Sequence, residues 1–551
     1  MKDYSIFTGE KRTFGMVDYV LLGISVLVSM CIGLYFAVKD RKAKNAAGYL
    51  MGNRNLPMIP VAMSLMVTQL SAIGILGVPA EIYNYNTVYW WICGGYIIGM
   101  IASTFLFMPV FYRLKILSIY EYLEMRFSKS VRVMASLSFI LSSLIYCGIV
   151  LYAPSIALTT VTGVNLWGLV LTIITVATLY TALGGMKAVI WTDTFQAVTI
   201  IAGLLAILIQ GATVSGGFAE AWRKAEDRGR VLYYDFNPDP TTRHTVWCLV
   251  IGGGIYWTCM FGLHQAQIQR VTACKSLVVA KRSLIIAYLA FIAIVCLQCM
   301  IGIVMFAFYS DCYPVDFMNL VSKSDQILPL FVMDILGKIK GVPGLFISCL
   351  VSGSLSSLSS SMNAVPAIIY QDFIKPVYPN LSEKRSVILA KVIVLVYGVC
   401  CFAFAYLVSQ LGSVLQVTYT LLIVTIAPMY GFFYVGMLFP WVNNKGAIVG
   451  CFVSFASISW VAIGSYINKV KSPTSSMSTA GCNWNLTEFN MTSTVAAVNT
   501  SDLYNLSYMW YGPFTIVIQI TVSLLVSFCT GQYRVPGQPL NRVSDDAKCY
   551  L

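Results

Sequence analysis

Long apolar runs, each bounded by polar or basic residues, recur along this chain from residue 16 to residue 531. A run of about 20 apolar residues is long enough for an α-helix to cross the hydrocarbon layer of a membrane. With hydrophobic residues at 58% of 551, the chain has more apolar surface than one soluble core would bury. We predict an all-α polytopic membrane protein with about 13 transmembrane helices. The predicted spans are residues 16–38, 56–82, 87–112, 131–160, 166–186, 189–213, 244–265, 283–308, 342–371, 386–408, 411–436, 446–468 and 511–531.

The net charge of +13 is spread over many short loops and does not gather in one basic face or tail. This distribution argues against nucleic-acid binding, which needs a continuous basic surface. The loops richest in Lys and Arg, which include Lys39, Arg113 and Arg270, fall on one side of the membrane when the N-terminus is extracellular. Because such loops usually stay in the cytosol, we predict a plasma-membrane protein with a cytosolic C-terminal tail at residues 532–551.

One long polar loop, at residues 469–510, separates the last two predicted spans and falls on the outside in this topology. It contains four Asn-x-Ser/Thr sequons, and glycosylation occurs on that side of the membrane. We predict an extracellular, glycosylated loop modified at Asn485, Asn490, Asn499 and Asn505. A fifth sequon, at Asn380, falls in an inside loop and should stay unmodified.

Most of the 16 cysteines lie within predicted spans, where they are expected to act as small apolar filler. Cys312 and Cys482 are the two that lie clearly in outside loops. A disulfide between them suits an oxidising compartment, but the sequence does not fix their distance, so the pairing stays open. The cysteines show no zinc-site spacing.

The spans divide into two units of five, residues 56–213 and 244–436. Five is odd, so the second unit must enter the membrane from the opposite side, as in the inverted repeats of secondary transporters. Such repeats carry a broken helix at matching positions. The second span has polar residues and glycines at 68–77, and the seventh has three glycines at 252–254. Close approach of neighbouring helices is the other explanation for these glycines.

Residues 352–363 read SGSLSSLSSSMN, with seven serines in a run that should lie inside the membrane. On a helix, Gly353, Ser356 and Ser357 share one face, and their hydroxyl and carbonyl oxygens suit a small hard cation such as sodium. A packing seam of small residues is the alternative. Asp193, just inside the sixth span, is a second candidate, because buried carboxylates are costly in membranes. A salt bridge on the inside face is its alternative role.

Neither a GxxxxGK[ST] phosphate loop nor an H-E-x-x-H or G-x-S-x-G motif occurs in the sequence. An ATP-driven pump or a membrane enzyme is therefore not favoured, and we expect no enzymatic activity. At six blocks, in order over nearly the whole chain, the sequence resembles the sodium/solute symporter family, in the branch of sodium-iodide, monocarboxylate and multivitamin transporters. The blocks are SAIGILGVPAEIY (71–83), YTALGGMKAVIWTDTFQ (180–196), HQAQIQR (264–270), SDCYP (310–314), DILGKIKGVPGLF (334–346) and the serine run.

The resemblance implies a LeuT-like core with an inverted five-plus-five repeat that works by alternating access. It implies a sodium site and a substrate cavity at matching positions. The sodium ligands would be the carbonyls of Val67 and Leu70 with Gly353, Ser356 and Ser357, and Asp193 would lie on the sodium route. The substrate cavity would be lined by Gln69, Val78, Ile92, Cys93, Tyr96 and Trp257.

The function implied is sodium-coupled uptake of a small organic anion, either a monocarboxylate or a carboxylate vitamin such as biotin or pantothenate. The sequence departs from the branch at Asn84–Asn86 and at Pro366 and Tyr370, which leaves substrate identity open. Iodide or another anion, a neutral solute, and an uncoupled channel or sensor on the same fold are the alternatives. Sodium is expected as a co-transported ligand, with no other cofactor, and the oligomeric state is not predicted.

Overall fold

The computed structural model describes residues 4–10, 12–39, 46–314, 321, 326–410, 414–468, 475, 477–478, 480–481 and 502–530. Over these residues the chain is helical apart from turns and connecting segments such as residues 228–245, and one isolated extended bridge joins Leu56 and Cys274. The predicted all-α class is therefore confirmed.

The α-helices of the described residues are numbered α1 to α20 in chain order. The first ten are α1 (Ser5–Thr8), α2 (Met16–Lys39), α3 (Ala46–Met51), α4 (Met58–Gln69), α5 (Ala72–Asn84), α6 (Ile92–Ile101), α7 (Met108–Leu114), α8 (Glu121–Arg126), α9 (Lys129–Thr162) and α10 (Leu166–Val214). The others are α11 (Phe218–Asp227), α12 (Gly253–Gly262), α13 (Gln265–Thr272), α14 (Leu277–Tyr309), α15 (Ile327–Leu336), α16 (Val342–Ile368), α17 (Glu383–Ser409), α18 (Val414–Leu438), α19 (Asn444–Ile467) and α20 (Tyr511–Cys529).

Nine helices in the described part of the chain are long and apolar enough to cross a membrane, or ten if one bent pair counts as a span. The predicted count of thirteen is not confirmed, for two reasons. The 49 residues of α10 cover two predicted spans, and the apolar stretches Cys248–Gly262 and Leu422–Leu438 are shorter than a full span. The number of spans therefore stays a prediction.

The second predicted span is broken, as its polar middle predicts. Helix α4 ends at Gln69, Leu70 and Ser71 leave helical geometry, and α5 begins at Ala72 with its axis bent by 61°. Helix α16 presses against this break. A Cβ on Gly353 would lie 3.2 Å from the Leu70 carbonyl oxygen, so the absence of a side chain there permits the close approach.

The prediction that residues 252–254 interrupt the seventh span is wrong. A π-helical turn, Cys248–Gly252, continues directly into α12, and the break comes later, at His264 before α13. The glycines serve close packing. A Cβ on Gly252 would lie 2.5 Å from the Met509 carbonyl oxygen, so no larger residue fits.

Helices α6 and α12 approach closely at the glycines of α6. A Cβ on Gly95 would lie 2.9 Å from Gly254 N, and one on Gly99 would lie 3.2 Å from Thr258 N. Backbone therefore rests on backbone, with no side chains between the two helices at these positions.

Helix α10 is divided at Gly185, whose φ of 59° and ψ of −156° lie in a region that glycine alone adopts readily. A Cβ here would also lie 2.6 Å from the carbonyl oxygen of Tyr49. The predicted spans 166–186 and 189–213 divide close to this position, and α10 accordingly forms two helical arms. Its buried residues pack extensively against α16.

Two predictions on the polar loops extend beyond the described part of the chain. Cys312 is disulfide-bonded, and the backbone of its neighbour Asp311 accepts a 2.8 Å hydrogen bond from Gly481 N, but Cys482 lies outside the described residues. The Cys312–Cys482 pair therefore stays a prediction. Among the sequons, Asn380 is exposed and Asn505 is half-buried, ending a short 3₁₀ turn. Sequons Asn485, Asn490 and Asn499 lie outside the described residues.

Candidate functional site

The serine run forms the middle of α16, and all its serines are buried. The hydroxyls point to two different neighbours. Ser357 Oγ lies 3.5 Å from the carbonyl oxygen of Thr68 at the broken helix, whereas Ser356 Oγ donates to Asp193 Oδ1 at 2.8 Å. Ser360 Oγ also contacts polar groups on other helices, so three hydroxyls of the run do so, and the run is more than a packing seam.

Asp193 lies on the second arm of α10 and is fully buried. Besides Ser356, its carboxylate accepts a hydrogen bond from Ser64 Oγ and forms an ion pair with Arg270, whose Nη2 lies 3.3 Å from Oδ2. Burial of a charged group is tolerated where hydrogen bonds and an opposite charge replace water, as they do here.

Arg270 was expected in an inside loop, and that prediction is wrong. The guanidinium is fully buried and donates to Ser64 Oγ at 2.7 Å and to Ser360 Oγ at 2.6 Å, in addition to its pair with Asp193. Ser360 Oγ in turn lies 3.0 Å from Thr68 Oγ1. A continuous polar network therefore joins α4, α10, α13 and α16.

The glutamines of the HQAQIQR block explain why Arg270 is buried. Each amide donates to a backbone carbonyl of another segment: Gln265 to Leu117, Gln267 to Leu65 and Gln269 to Leu50. In sequence this alternation of amides is typical of a helix leaving the membrane for solvent. In the structure the amides dock α13 against three other segments.

The predicted sodium ligands fall into two adjoining groups. At the broken helix, the carbonyl oxygen of Val67 accepts a 3.0 Å hydrogen bond from Leu70 N, and the Leu70 carbonyl faces Gly353, with Ser357 beside them. Ser356 and Asp193 form the second group, connected to the first through the serine network. The structure thus brings all six predicted residues into one polar region.

A cavity of about 110 Å³ adjoins the broken helix. Thr68, Leu70, Ser71 and Ser357 line one end of it. Among the predicted substrate residues, Gln69, Val78, Tyr96 and Trp257 line the walls. The rings of Tyr96 and Trp257 meet edge to face with centroids 4.9 Å apart, an arrangement typical of aromatic pairs. The Gln69 amide donates to the Met260 carbonyl at 2.8 Å.

A second cavity, of about 50 Å³, shares the wall at Val78 and Trp257. Ile92 lines this second cavity and not the first, so its role at the substrate stays a prediction. Cys93 is not among the residues lining either cavity, and its Sγ lies 3.9 Å from Cys296 Sγ on α14. No feature of the sequence indicates that Cys93 turns toward α14.

Arg243 and Glu81 form a largely buried ion pair at this second cavity, which was not predicted from the sequence. Arg243 Nε donates to Glu81 Oε1 at 2.7 Å, and its guanidinium lies over the rings of Tyr85 and Tyr508, 4.3 and 5.1 Å from their centroids. The His244 ring nitrogen Nε2 lies 3.1 Å from Tyr508 OH. The sequence signal for this pair is the Glu of VPAEIY and the Arg-His pair at the start of the predicted seventh span.

Comparison with known families identifies the class of protein. Residues 49–454 match the family model described as "Sodium:solute symporter family". The chain belongs to this family. The sodium-dependent multivitamin transporter of Oryctolagus cuniculus is 39% identical over 96% of this chain and 84% of its own length. The sodium-coupled monocarboxylate transporter 1 of Xenopus laevis is 39% identical over 95% of this chain and 87% of its own length.

The human sodium/iodide cotransporter is also similar to this symporter-family chain, at 41% identity over 84% of the chain and 72% of the relative. The predicted family and branch are therefore confirmed. The fold is shared with a solved Na⁺-coupled sialic acid symporter at a TM-score of 0.78 and 24% identity, covering 95% of this chain and 99% of that one. A LeuT-like architecture is thereby confirmed, whereas the boundaries 56–213 and 244–436 of the two repeats stay predictions.

The symporter-family relatives are transporters, and the chain is a multi-span member of the same family. Family membership establishes sodium-coupled solute symport as the activity of the class. It does not distinguish among vitamins, monocarboxylates and iodide, because relatives named for each are similar to this chain to nearly the same degree.

Proposed function

We propose that the protein takes up a small organic anion, a monocarboxylate or a carboxylate vitamin such as biotin or pantothenate, together with sodium by alternating access. The observation that carries the proposal is that one cavity is lined both by residues of the predicted sodium site, Leu70 and Ser357, and by predicted substrate residues such as Trp257. An ion and a solute in the same cavity stabilise the same conformation of the protein, which is the physical basis of coupling.

In this proposal sodium is bound by the carbonyls of Val67 and Leu70 with Gly353, Ser356 and Ser357, and Asp193 lies on its route. These are hard oxygen ligands, which suit sodium. Each net positive charge moved inward gains about 2.3 kcal/mol per 100 mV of membrane potential, which can drive uptake. The protein acts at the plasma membrane, with its N-terminus outside and its C-terminus in the cytosol.

The sodium ligands are tested by replacing Ser356 and Ser357 together with alanine. We expect sodium-dependent uptake to need a much higher sodium concentration while surface expression is unchanged. Ser354→Ala is the matched control, because Ser354 is equally buried on α16 but its hydroxyl donates to Leu350 within its own helix. An unchanged sodium requirement in the double variant would contradict the assignment.

The substrate class is tested with radiolabelled lactate, nicotinate, biotin, pantothenate, iodide and glucose in expressing cells, with and without sodium. Sodium-dependent accumulation of a carboxylate above equilibrium supports the proposal. Accumulation of iodide or glucose alone would replace it with one of those substrates. Movement that never exceeds equilibrium under a sodium gradient would indicate a channel or sensor.

A further inference from the structure

A short loop that follows α11 carries an exposed aromatic patch. Residues 232–236 read LYYDF, and the exposed fractions of Tyr233, Tyr234 and Phe236 are 63%, 65% and 51%. The rings of Tyr234 and Phe236 lie with their centroids 5.5 Å apart, so the patch is contiguous. Isolated exposed apolar residues are common on proteins, but a contiguous group of them indicates a surface that contacts something other than water. The aromatic patch comprises Leu232, Tyr233, Tyr234 and Phe236 with the flanking Trp91 and Trp247.

The backbone of this loop is fixed from two sides by the flanking indoles. Trp91 Nε1 donates to the Tyr233 carbonyl oxygen at 2.7 Å, and Trp247 Nε1 donates to the Phe236 carbonyl oxygen at 3.2 Å. The Phe236 ring also lies 5.8 Å from the Trp247 ring, centroid to centroid. Because these contacts hold the backbone in place, the loop presents its aromatic side chains outward in one defined arrangement.

The aromatic patch continues a face of α6 that is exposed along a membrane span. Ile98 and Ile101 follow Trp91 by seven and ten residues, share its side of the helix, and are exposed. Ile251, one turn after Trp247, is exposed as well. Exposed apolar side chains on a spanning helix face lipid, and Trp and Tyr gather where such helices leave the hydrocarbon layer. The patch therefore lies at the level of the membrane interface.

We propose that residues 232–236 are embedded in the membrane, at the boundary between phospholipid headgroups and acyl chains. Lipid is the occupant, rather than a second copy of the chain, because the patch is continuous with the lipid-facing surface of two spans. Residues 231–242 contain no Lys or Arg, so apolar and aromatic contacts hold the loop in the interface without attraction to anionic headgroups. In the predicted topology this is the outer face of the membrane.

The first measurement is hydroxyl-radical footprinting of the full-length protein in phosphatidylcholine nanodiscs that hold one copy each. Trypsin cuts after Arg230 and Arg243, so residues 231–243 are released as one peptide that reports on Tyr233 and Tyr234. The synthetic peptide of the same sequence gives their rate of oxidation in water. We expect both tyrosines to be oxidised at least several-fold more slowly in the protein, whereas side chains 63% and 65% exposed to water should react nearly as fast as in the peptide.

The second measurement uses nanodiscs that contain a phosphatidylcholine with a photoreactive diazirine near the glycerol end of one acyl chain. We expect the lipid to cross-link to the peptide of residues 231–243. The matched control is the tryptic peptide of residues 225–228 at the end of α11, since it lies nearby in the chain and its Asp227 side chain is 61% exposed. That peptide is charged and should stay unlabelled.

Three outcomes would overturn the inference. Oxidation of Tyr233 and Tyr234 as fast as in the synthetic peptide would place the loop in water. Slow oxidation without lipid cross-linking would mean that protein, and not lipid, covers the patch. Cross-linking that appears only when anionic lipid is added would show that headgroup charge holds the loop. Each of these results leaves sodium-coupled uptake untouched, because the patch lies outside the cavity that carries the proposed function.

Discussion

Replacing Arg270 should lower the stability of the protein, because its partner Asp193 would stay buried without a counter-charge. Both Arg270 and Asp193 are 0% exposed, with Nη2 and Oδ2 3.3 Å apart. Arg270→Met therefore leaves Asp193 buried without a counter-charge, held by the hydroxyls of Ser64 and Ser356. Loss of one member of a buried ion pair costs about 3–5 kcal/mol, and we expect the stability of the protein to fall by about this amount.

The assay is thermal unfolding of the purified protein in one detergent, for the wild type, Arg270→Met, Asp193→Asn and the double variant. Because the double variant removes both charges, its loss should be smaller than the sum of the single losses by about 2 kcal/mol. Arg223→Met is the control, since Arg223 pairs with Glu220 at the surface of α11 with 63% of its side chain exposed. That change should cost less than about 1 kcal/mol.

Two results would refute the reasoning. The first is strict additivity of the two single changes, which would mean that the charges do not interact. The second is an effect of Arg270→Met no larger than that of Arg223→Met. The sodium dependence of uptake distinguishes a structural role of Asp193 from a role in transport. If Asp193 lies on the sodium route, Asp193→Asn should weaken sodium coupling. Normal uptake at low sodium in this variant would leave Asp193 a structural role alone.

Three further changes test the helix break, the N-terminal segment and the second ion pair. Gly185→Ala should lower stability by about 2–3 kcal/mol in thermal unfolding because of its positive φ and the nearby Tyr49 carbonyl, whereas Gly23→Ala, with open space around it, should change it by less than about 1 kcal/mol. Asp334→Ala should speed hydrogen exchange at residues 5–8, because Asp334 Oδ1 accepts from both the N–H and the hydroxyl of Ser5; unchanged exchange would contradict this. Glu81→Gln should cost about 2–5 kcal/mol in the same unfolding assay, since Arg243 loses its carboxylate, and a silent change would show that the pair is not needed.

Local sequence chemistry predicted the features that depend on nearby residues. Polar residues in the middle of an apolar span predicted the break at Leu70 and Ser71, because unpaired backbone needs polar neighbours. The boundary between the predicted spans 166–186 and 189–213 likewise lies close to the change of direction at Gly185. Both features are set within a few positions along the chain, where composition alone carries the information.

Features that depend on distant partners were not predictable in this way. Arg270 and Asp193 are 77 positions apart, and the sequence does not show that α13 brings the guanidinium against a carboxylate of α10. Glycines permit both a helix break and a close helix contact, and the sequence alone does not distinguish the two. At residues 252–254 the structure shows the contact, because the Met509 carbonyl oxygen lies against Gly252. Cys93 lies on the side of α6 that packs against α14. The hydrophobic pattern of α6 alone does not predict which of its sides contacts α14.

The glycine contact between α6 and α12 limits how the protein can move. Where backbones touch at Gly95 and Gly99, a slide by one residue, about 1.5 Å along the helix axis, would drive side chains into main-chain atoms. The two helices must therefore move together as one rigid body. Bending must then occur in the non-helical segments outside this rigid body, at Leu70–Ser71 and at His264. Both segments lie on the wall of the cavity. A solute bound in the cavity would therefore contact both of the segments at which the protein can bend.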